Sequence, residues 1–475
     1  MSPSPARSAR LGLCMIARDE EALLPGCLAS VAGVVDEIVV LDTGSRDRTV
    51  ELARAAGARV IERAWNGDFS AARNAALAAS RADYVLVLDA DERLASGARK
   101  LLREVVQKAR IDCGLLPLHH ADALEAGESE VLSGRRRLGE PMLLPRLLRR
   151  TPDLAWNGIV HESPSAWLAQ PGRRVCALEA PIVHYGAIPA LRELRGKNQR
   201  NFELLERRCA EHPHDGNARA YLALECARAG QRERARIEAE RALLDLEAVR
   251  ASGSQQGEPV QIASLLAHLQ LQAGEVEAAR ETLARARALR AEHPNLELLE
   301  GLACELLALR SPAGVLRAQW CERASACFEA CCAQAGRAFA AELLPGATGW
   351  AALAHLASVR LLAGDAAGAL RSADAALAFR DDHRGAQLTR AEALLELGEL
   401  PAALESIAPL LPQGGPDAWL LAAACALGLG HVSDARLFLQ RARVERNQRE
   451  FSAPLRAERF GALERALANA ANAAS

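Results

Sequence analysis

The chain has 475 residues with a formal net charge of −2; half of the residues are hydrophobic and a quarter are charged. This is too long for a single core, so two or three domains are expected. The near-neutral balance gives no electrostatic reason to expect nucleic acid or an anionic membrane as partner.

The first ten residues, MSPSPARSAR, are polar and are expected to be disordered. LGLCMIA follows, apolar for seven residues before Arg18, Asp19 and Glu20. That run is too short for the apolar core of a signal peptide. It reads instead as a buried strand, Leu11 to Ala17. Glu20 to Val31 then reads as a helix, with Leu23, Leu24, Cys27, Leu28 and Val31 at helical spacing. DEIVVLDTGS is a second strand ending in a turn, where Ser45 can cap the next helix and Asp47 suits its first turn. ARVIERA is a third strand, Phe69 to Ala79 a helix, and Tyr84 to Leu88 a fourth strand. Strands of near-continuous Val, Ile and Leu alternating with helices predict a mostly parallel sheet covered on both faces. In such sheets ligands bind beyond the carboxyl ends of the strands, where Asp42 and Asp89 lie.

The strand YVLVLDADERL ends in Asp89, Ala90, Asp91 and Glu92. Asp89 and Asp91 sit two apart, so in an extended segment they point alike. Hard oxygen ligands of this kind suit Mg²⁺ or Mn²⁺. Such an ion can stabilise a diphosphate leaving group. The basic stretch RRRLGEPMLLPRLLRR, 135 to 150, reads as a solvated flank that can also guide an anionic ligand. LHHAD, 118 to 122, places adjacent histidines on opposite faces of a strand, which argues against a metal there. HESPS is not a zincin motif, because position 165 is Ser and Pro164 would break the required helix.

From about Arg192 the chain becomes almost purely helical. LLAGDAAGAL and LLELGELPAAL place Gly364 and Gly398 34 residues apart, and LGLGHVSDAR adds Gly430, 32 later. Gly274 and Gly230 mark earlier versions. Helix, Gly turn, helix at this period is the tetratricopeptide pattern; an irregular helical bundle is the alternative. ASGSQQGEP, 251 to 259, is expected to be a loop. Twelve cysteines include no C-x-x-C pair, which disfavours a zinc ribbon and points to a reducing, cytoplasmic setting. No stretch approaches ~20 uninterrupted apolar residues, so no membrane span is expected.

The ordered series CMIARDEE, IVVLDTGSRDRT, FSAARNAAL, YVLVLDADERL, WNGIVHESP and IVHYG resembles glycosyltransferase family 2, and within it a bacterial subgroup with a C-terminal tetratricopeptide-like helical domain. The resemblance covers residues 11 to about 190. It implies a GT-A, Rossmann-like domain over 11–190 and an all-α repeat domain over 195–475. It also implies a metal-dependent, inverting hexosyl or related transfer from a nucleoside diphosphate sugar, with UDP expected. The acceptor would be a peptide, a protein or a cell-surface glycan, and the repeats would bind the acceptor or a partner protein. On the matched positions, Arg18, Glu20, Asp42, Gly44, Arg73, Asn74 and Asp89 bind the donor. Asp89, Asp91 and His184 hold Mn²⁺ or Mg²⁺, with His161 a rival to His184, and Glu162 is the base. Asp19 stands where the family often has Asn. The competing readings are an inactive tetratricopeptide scaffold and a sugar nucleotidyltransferase. The latter needs a Gly-rich loop after the first strand, which IARDEEALLPG lacks.

Overall fold

The computed structural model describes residues 8–188, 190–191, 197–251, 259–289, 292–337, 339, 344–446 and 459–467. Of the expected disordered N-terminus, residues 1–7 lie outside this range, and so do residues 252–258 of the expected loop.

The strands are β1 (Leu11–Ala17), β2 (Glu37–Asp42), β3 (Arg59–Glu62), β4 (Tyr84–Val87), β5 (Glu92–Leu94), β6 (Cys113–Ala121), β7 (Arg137–Arg149), β8 (Val175–Ala177) and β9 (Ile182–His184). They form one mixed sheet in the order β3-β2-β1-β4-β7-β6-β9-β5, with β8 on β6. Strands β1 to β4 are parallel to one another. β4 and β1 are the most uniformly buried, as runs of Val, Leu and Ile demand when both faces are covered. β7 runs antiparallel to both β4 and β6. The stretch expected as a solvated flank is therefore the longest strand, 13 residues, and its end is buried from Arg146 to Leu148.

Around the sheet lie α1 (Leu24–Val31), α2 (Thr49–Ala55), α3 (Phe69–Ala79), α4 (Ala98–Lys108), α5 (Glu128–Leu132) and α6 (Ser165–Leu168). α1 begins four residues later than the periodicity predicts, with Pro25 in its first turn, where a missing N–H has no consequence. Ser45 does not cap α2: its hydroxyl bonds Asp42, while Asp47 Oδ1 accepts from Thr49 N at 2.9 Å. α3 starts where expected because Asp68 accepts from Ala71 N at 3.0 Å. One core lies on one face of the sheet, with Leu11, Leu13, Met15, Leu86, Leu102 and Val106. Another lies on the opposite face, with Val39, Leu41, Ala76, Leu77, Val85 and Trp167.

Beyond residue 196 the described secondary structure is helical, apart from a β-bridge of Phe339 to Met142. α7 (Lys197–Glu211) precedes a series of helix pairs: α8 (Gly216–Arg228) with α9 (Arg232–Ala251), α10 (Pro259–Gln272) with α11 (Val276–Leu289), and α12 (Pro294–Arg310) with α13 (Val315–Cys332). The series continues with α14 (Trp350–Leu362) and α15 (Ala366–Phe379), α16 (Arg384–Glu396) and α17 (Leu400–Ile407), and α18 (Pro416–Gly428) and α19 (Val432–Arg446). Gly230, Gly274, Gly364, Gly398 and Gly430 each end a first helix at φ between +75° and +86°, a left-handed conformation that excludes most side chains. Fully buried alanines such as Ala369, Ala373, Ala376, Ala391 and Ala403 allow close helix packing. The fold is thus an α/β domain with a mixed sheet, in which parallel pairings outnumber antiparallel ones, followed by an all-α domain of tetratricopeptide-like pairs.

Compactness divides the chain at a different point from the change in secondary structure. One unit comprises residues 1–269 with 338–343; the other comprises 270–337 with 344–475. Helices α7 to α9 belong to the first. Leu204, Leu205, Leu222 and Cys226 bury Val160, with Trp65, Phe69 and Ile159 packed against the same cluster.

Candidate active site

The parallel pairings bring the carboxyl ends of β1, β2 and β4 to one rim. Ala17 and Asp42 are in register, and Thr43 N donates to Ala17 O at 3.0 Å. The buried Asp42 carboxylate accepts from Gly44 N at 2.9 Å and Ser45 N at 3.0 Å, and it bonds the Ser45 hydroxyl. It thus builds the turn after β2, and Gly44 takes φ +103° within it. A small cleft beside this turn is lined by Leu41, Thr43, Arg63, Trp65, Asn66 and Ala72. Across from it, Asp19 adopts φ +53° and ties the two turns together: its N donates to Ser45 Oγ at 2.9 Å, and its Oδ1 accepts from Arg46 N at 2.7 Å. Asp, like Asn, tolerates that backbone. Glu20 N donates to Thr49 Oγ1 at 2.7 Å. Arg18 is exposed, with Nε 3.6 Å from Asp19 Oδ2.

Asp89 and Asp91 follow β4, but the segment is a turn closed by Glu92 N on Asp89 O at 3.0 Å. The expectation of an extended segment with both carboxylates pointing alike is corrected on that ground. The two acids have different partners. Asp89 Oδ1 meets Arg73 Nη2 at 2.8 Å, and its Oδ2 lies 3.7 Å from Arg146 Nη2. Burial alone would raise the Asp89 carboxyl, but these two guanidiniums hold it below the ordinary range. Asp91, 5% exposed, has Oδ1 3.5 Å from His184 Nε2. Gly186 closes over this pair: a Cβ there would lie 2.0 Å from Asp91 Oδ2 and 2.7 Å from His184 Nε2.

Arg73 lies on the buried side of α3 beside Ala72 and Ala76. Its Nε bonds Glu162 Oε1, so one guanidinium bridges Asp89 and Glu162. Its Nη1 is buried and has no hydrogen-bond partner among the described residues. The guanidinium also sits 5.2 Å from the Trp156 ring centroid. Asn74 holds the backbone of Trp156: its Nδ2 donates to Trp156 O at 2.9 Å, and its Oδ1 accepts from Trp156 N at 2.8 Å, which leaves its second N–H for a ligand. His161, the rival to His184, has a ring partner on α8. It takes φ +52° and stacks on Tyr221 of α8, centroids 4.0 Å apart and planes 14° apart.

Sequence reasoning missed three residues here. Arg146 bonds Glu92, whose carboxyl burial pushes up to about 7 against that guanidinium. His120 Nδ1 lies 2.8 Å from His184 Nδ1. Gly186 stood in the IVHYG motif, but only its neighbours in space reveal why a side chain is excluded. For Arg146 the available signal was an arginine inside an apolar run, LLPRLL.

The fit to a divalent cation is partial by protein ligands alone. Among the described residues no group of three or more His, Cys, Asp or Glu is arranged to hold a metal. Asp91 and His184 supply one hard oxygen and one imidazole nitrogen in a cradle without a side chain at 186. Mg²⁺-type sites commonly use one or two protein ligands and complete their shell with phosphate and water.

The rim beyond the carboxyl ends of parallel strands is where open α/β sheets bind their ligands. Residues 13–153 match the model of glycosyl transferase family 2, and that part of the chain is a family 2 domain. A TPR repeat-containing protein of Synechococcus elongatus is 40% identical over 233 residues, covering 47% of this chain and 52% of that protein. The SPbeta prophage-derived glycosyltransferase SunS of Bacillus subtilis is 26% identical over 198 residues, covering 40% and 43%. The chain thus spans about half the length of these curated relatives. Among solved structures, a tetratricopeptide repeat protein from Parabacteroides merdae is 15% identical with a TM-score of 0.38, covering 57% of this chain and 94% of that one. No described helix is long and apolar enough to cross a membrane.

Proposed function

We propose that this chain is a metal-dependent, inverting glycosyltransferase. It moves a hexosyl or related sugar from a nucleoside diphosphate sugar, UDP-linked in the first instance, to a peptide, protein or glycan acceptor. Residues 11–190 would carry the transfer. Residues 195–475 would bind acceptor or a partner protein, in the cytoplasm, where the free cysteines stay reduced. The observation that carries the reading is the convergence of Asp91 and His184 under Gly186, next to an arginine bridging Asp89 and Glu162.

Asp91 and His184 would hold Mn²⁺ or Mg²⁺, which supplies positive charge to the diphosphate as it leaves. Arg73 and Asp89 line the donor side, and the unpartnered Arg73 Nη1 is a ready donor to a phosphate or sugar oxygen. Arg18, Glu20, Asp42 and Gly44 shape the turns at the nucleotide end. In the transfer, Glu162 takes the proton of an acceptor hydroxyl. That oxygen forms the new bond to the anomeric carbon as the carbon–oxygen bond to diphosphate breaks, and the electron pair leaves with the nucleoside diphosphate. Asn74 fixes Trp156 with one amide N–H and would offer the other to the donor.

Titration calorimetry of UDP, dTDP and GDP, with Mn²⁺ and with chelator, tests the reading. Metal-dependent binding that is absent in Asp91→Asn supports it. Metal-independent or absent binding of all three contradicts it and leaves the reading of an inactive scaffold.

A further inference from the structure

The adjacent histidines of LHHAD have no part in the reaction described above. On β6 they part company: His119 is in register with Val183 and His120 with His184. His119 is buried, and its ring is pushed down to about 4 by burial and by the nearby Arg137. His120 instead meets the ring of His184, centroids 5.0 Å apart at 61°, with the two Nδ1 atoms 2.8 Å apart.

Two imidazole nitrogens at that distance make a hydrogen bond only if one carries the hydrogen and the other offers its lone pair. Which one does so decides the chemistry at the far side of His184, where Nε2 faces Asp91. If His184 Nδ1–H donates, a neutral His184 has a lone pair on Nε2. If His120 donates, the hydrogen of neutral His184 sits on Nε2 and occupies the cradle under Gly186.

We propose that His120 is the positioning residue of the cation site: its Nδ1 accepts from His184 Nδ1–H, which fixes the His184 ring and leaves Nε2 open toward Asp91. The proposal rests on the reading of Asp91 and His184 as the ligand pair. Metal-ligating histidines generally donate their second N–H to such a partner, and loss of the partner typically costs 10–100-fold in metal affinity. The sequence hides this role, because the partner lies 64 residues away and is joined only by the β6–β9 pairing.

The test uses the full chain and Mn²⁺ alone, following loss of the free-ion electron paramagnetic resonance signal. His120→Phe keeps the ring volume but cannot accept; its Mn²⁺ affinity is expected to fall by about 10–100-fold. His120→Gln, whose side-chain oxygen can accept, is expected to recover part of that loss. Wild-type affinity in a folded His120→Phe overturns the proposal. If Asp91→Asn also binds Mn²⁺ like the wild type, the ligand pair itself is misassigned and the proposal falls with it, a distinguishable result. Nitrogen-15 spectra of the histidine rings in the metal-free wild type at about pH 8.5, where free imidazole is neutral, read the tautomer directly and do not depend on any variant folding. His184 protonated on Nδ1 is expected; His184 protonated only on Nε2 overturns the proposal.

Discussion

Gly186→Ala perturbs the candidate cation site by one methyl group. Gly186 has no positive φ, so the new residue meets no backbone strain of its own. The added Cβ would lie 2.0 Å from Asp91 Oδ2, where real Cβ atoms essentially never come within 3.0 Å. The carboxylate must therefore retreat by about 1 Å. Asp91 is 5% exposed, so it retreats among packed atoms rather than into water. A misplacement of about 1 Å at a reacting centre costs on the order of 10²-fold, or about 2.7 kcal/mol. Global stability should fall only by the ordinary overpacking cost, about 1–3 kcal/mol. The assay is Mn²⁺ affinity and nucleoside diphosphate release, with urea unfolding measured on the same samples. Gly97→Ala is the control, since a Cβ there meets nothing within 4 Å. A folded Gly186→Ala with wild-type Mn²⁺ affinity and release would refute the reasoning.

Other perturbations follow from the same structure. Tyr221→Ala removes the ring on which His161 stacks and loosens the residue before Glu162. A stack worth about 0.5–1.5 kcal/mol predicts up to about a tenfold loss of turnover with nucleotide affinity unchanged, read as a kcat effect in steady-state kinetics. Truncation after residue 195 strips α7 and α8 from Val160, Trp65 and Phe69, so the fragment should lose turnover and expose apolar surface to a fluorescent dye. A fragment retaining residues up to 343, which includes all of the first compact unit, should keep donor hydrolysis. Burial would lower His355, but the Glu305 carboxylate 2.8 Å away raises it above the ordinary 6.5. Its folded-state value therefore exceeds the unfolded one, so its stabilisation is complete below about pH 6.5 and is lost as pH rises through the raised value. Urea unfolding across that window should show the decline in the wild type and a flatter profile in Glu305→Gln.

The sheet's first four strands were legible because buried parallel strands need continuous apolar runs, and α3 because Asp68 and its alanines declare its start and face. The glycine turns of the helical pairs were equally plain, since each needs a left-handed residue. β7 was not legible: Pro141, Pro145 and Arg146 interrupt the apolar run, and the carboxylates that make a buried arginine tolerable there, Glu92 and Asp89, lie 54 or more residues away. The bridging of Asp89 and Glu162 by Arg73 was hidden for the same reason, because pairing across the sheet and its loops leaves no local period. Asn74 illustrates the opposite case. It stood in a recognisable pair with Arg73, yet no local pattern announced that its amide also bonds both the N–H and the C=O of Trp156.

The most direct test of the central claim is release of nucleoside diphosphate from UDP-, dTDP- and GDP-sugars by wild type and Asp91→Asn, with Mn²⁺, with Mg²⁺ and with chelator, each with and without candidate acceptors. The account predicts release from one donor that requires the metal and is lost in Asp91→Asn. Release that persists in chelator, or that survives intact in the variant, would contradict it.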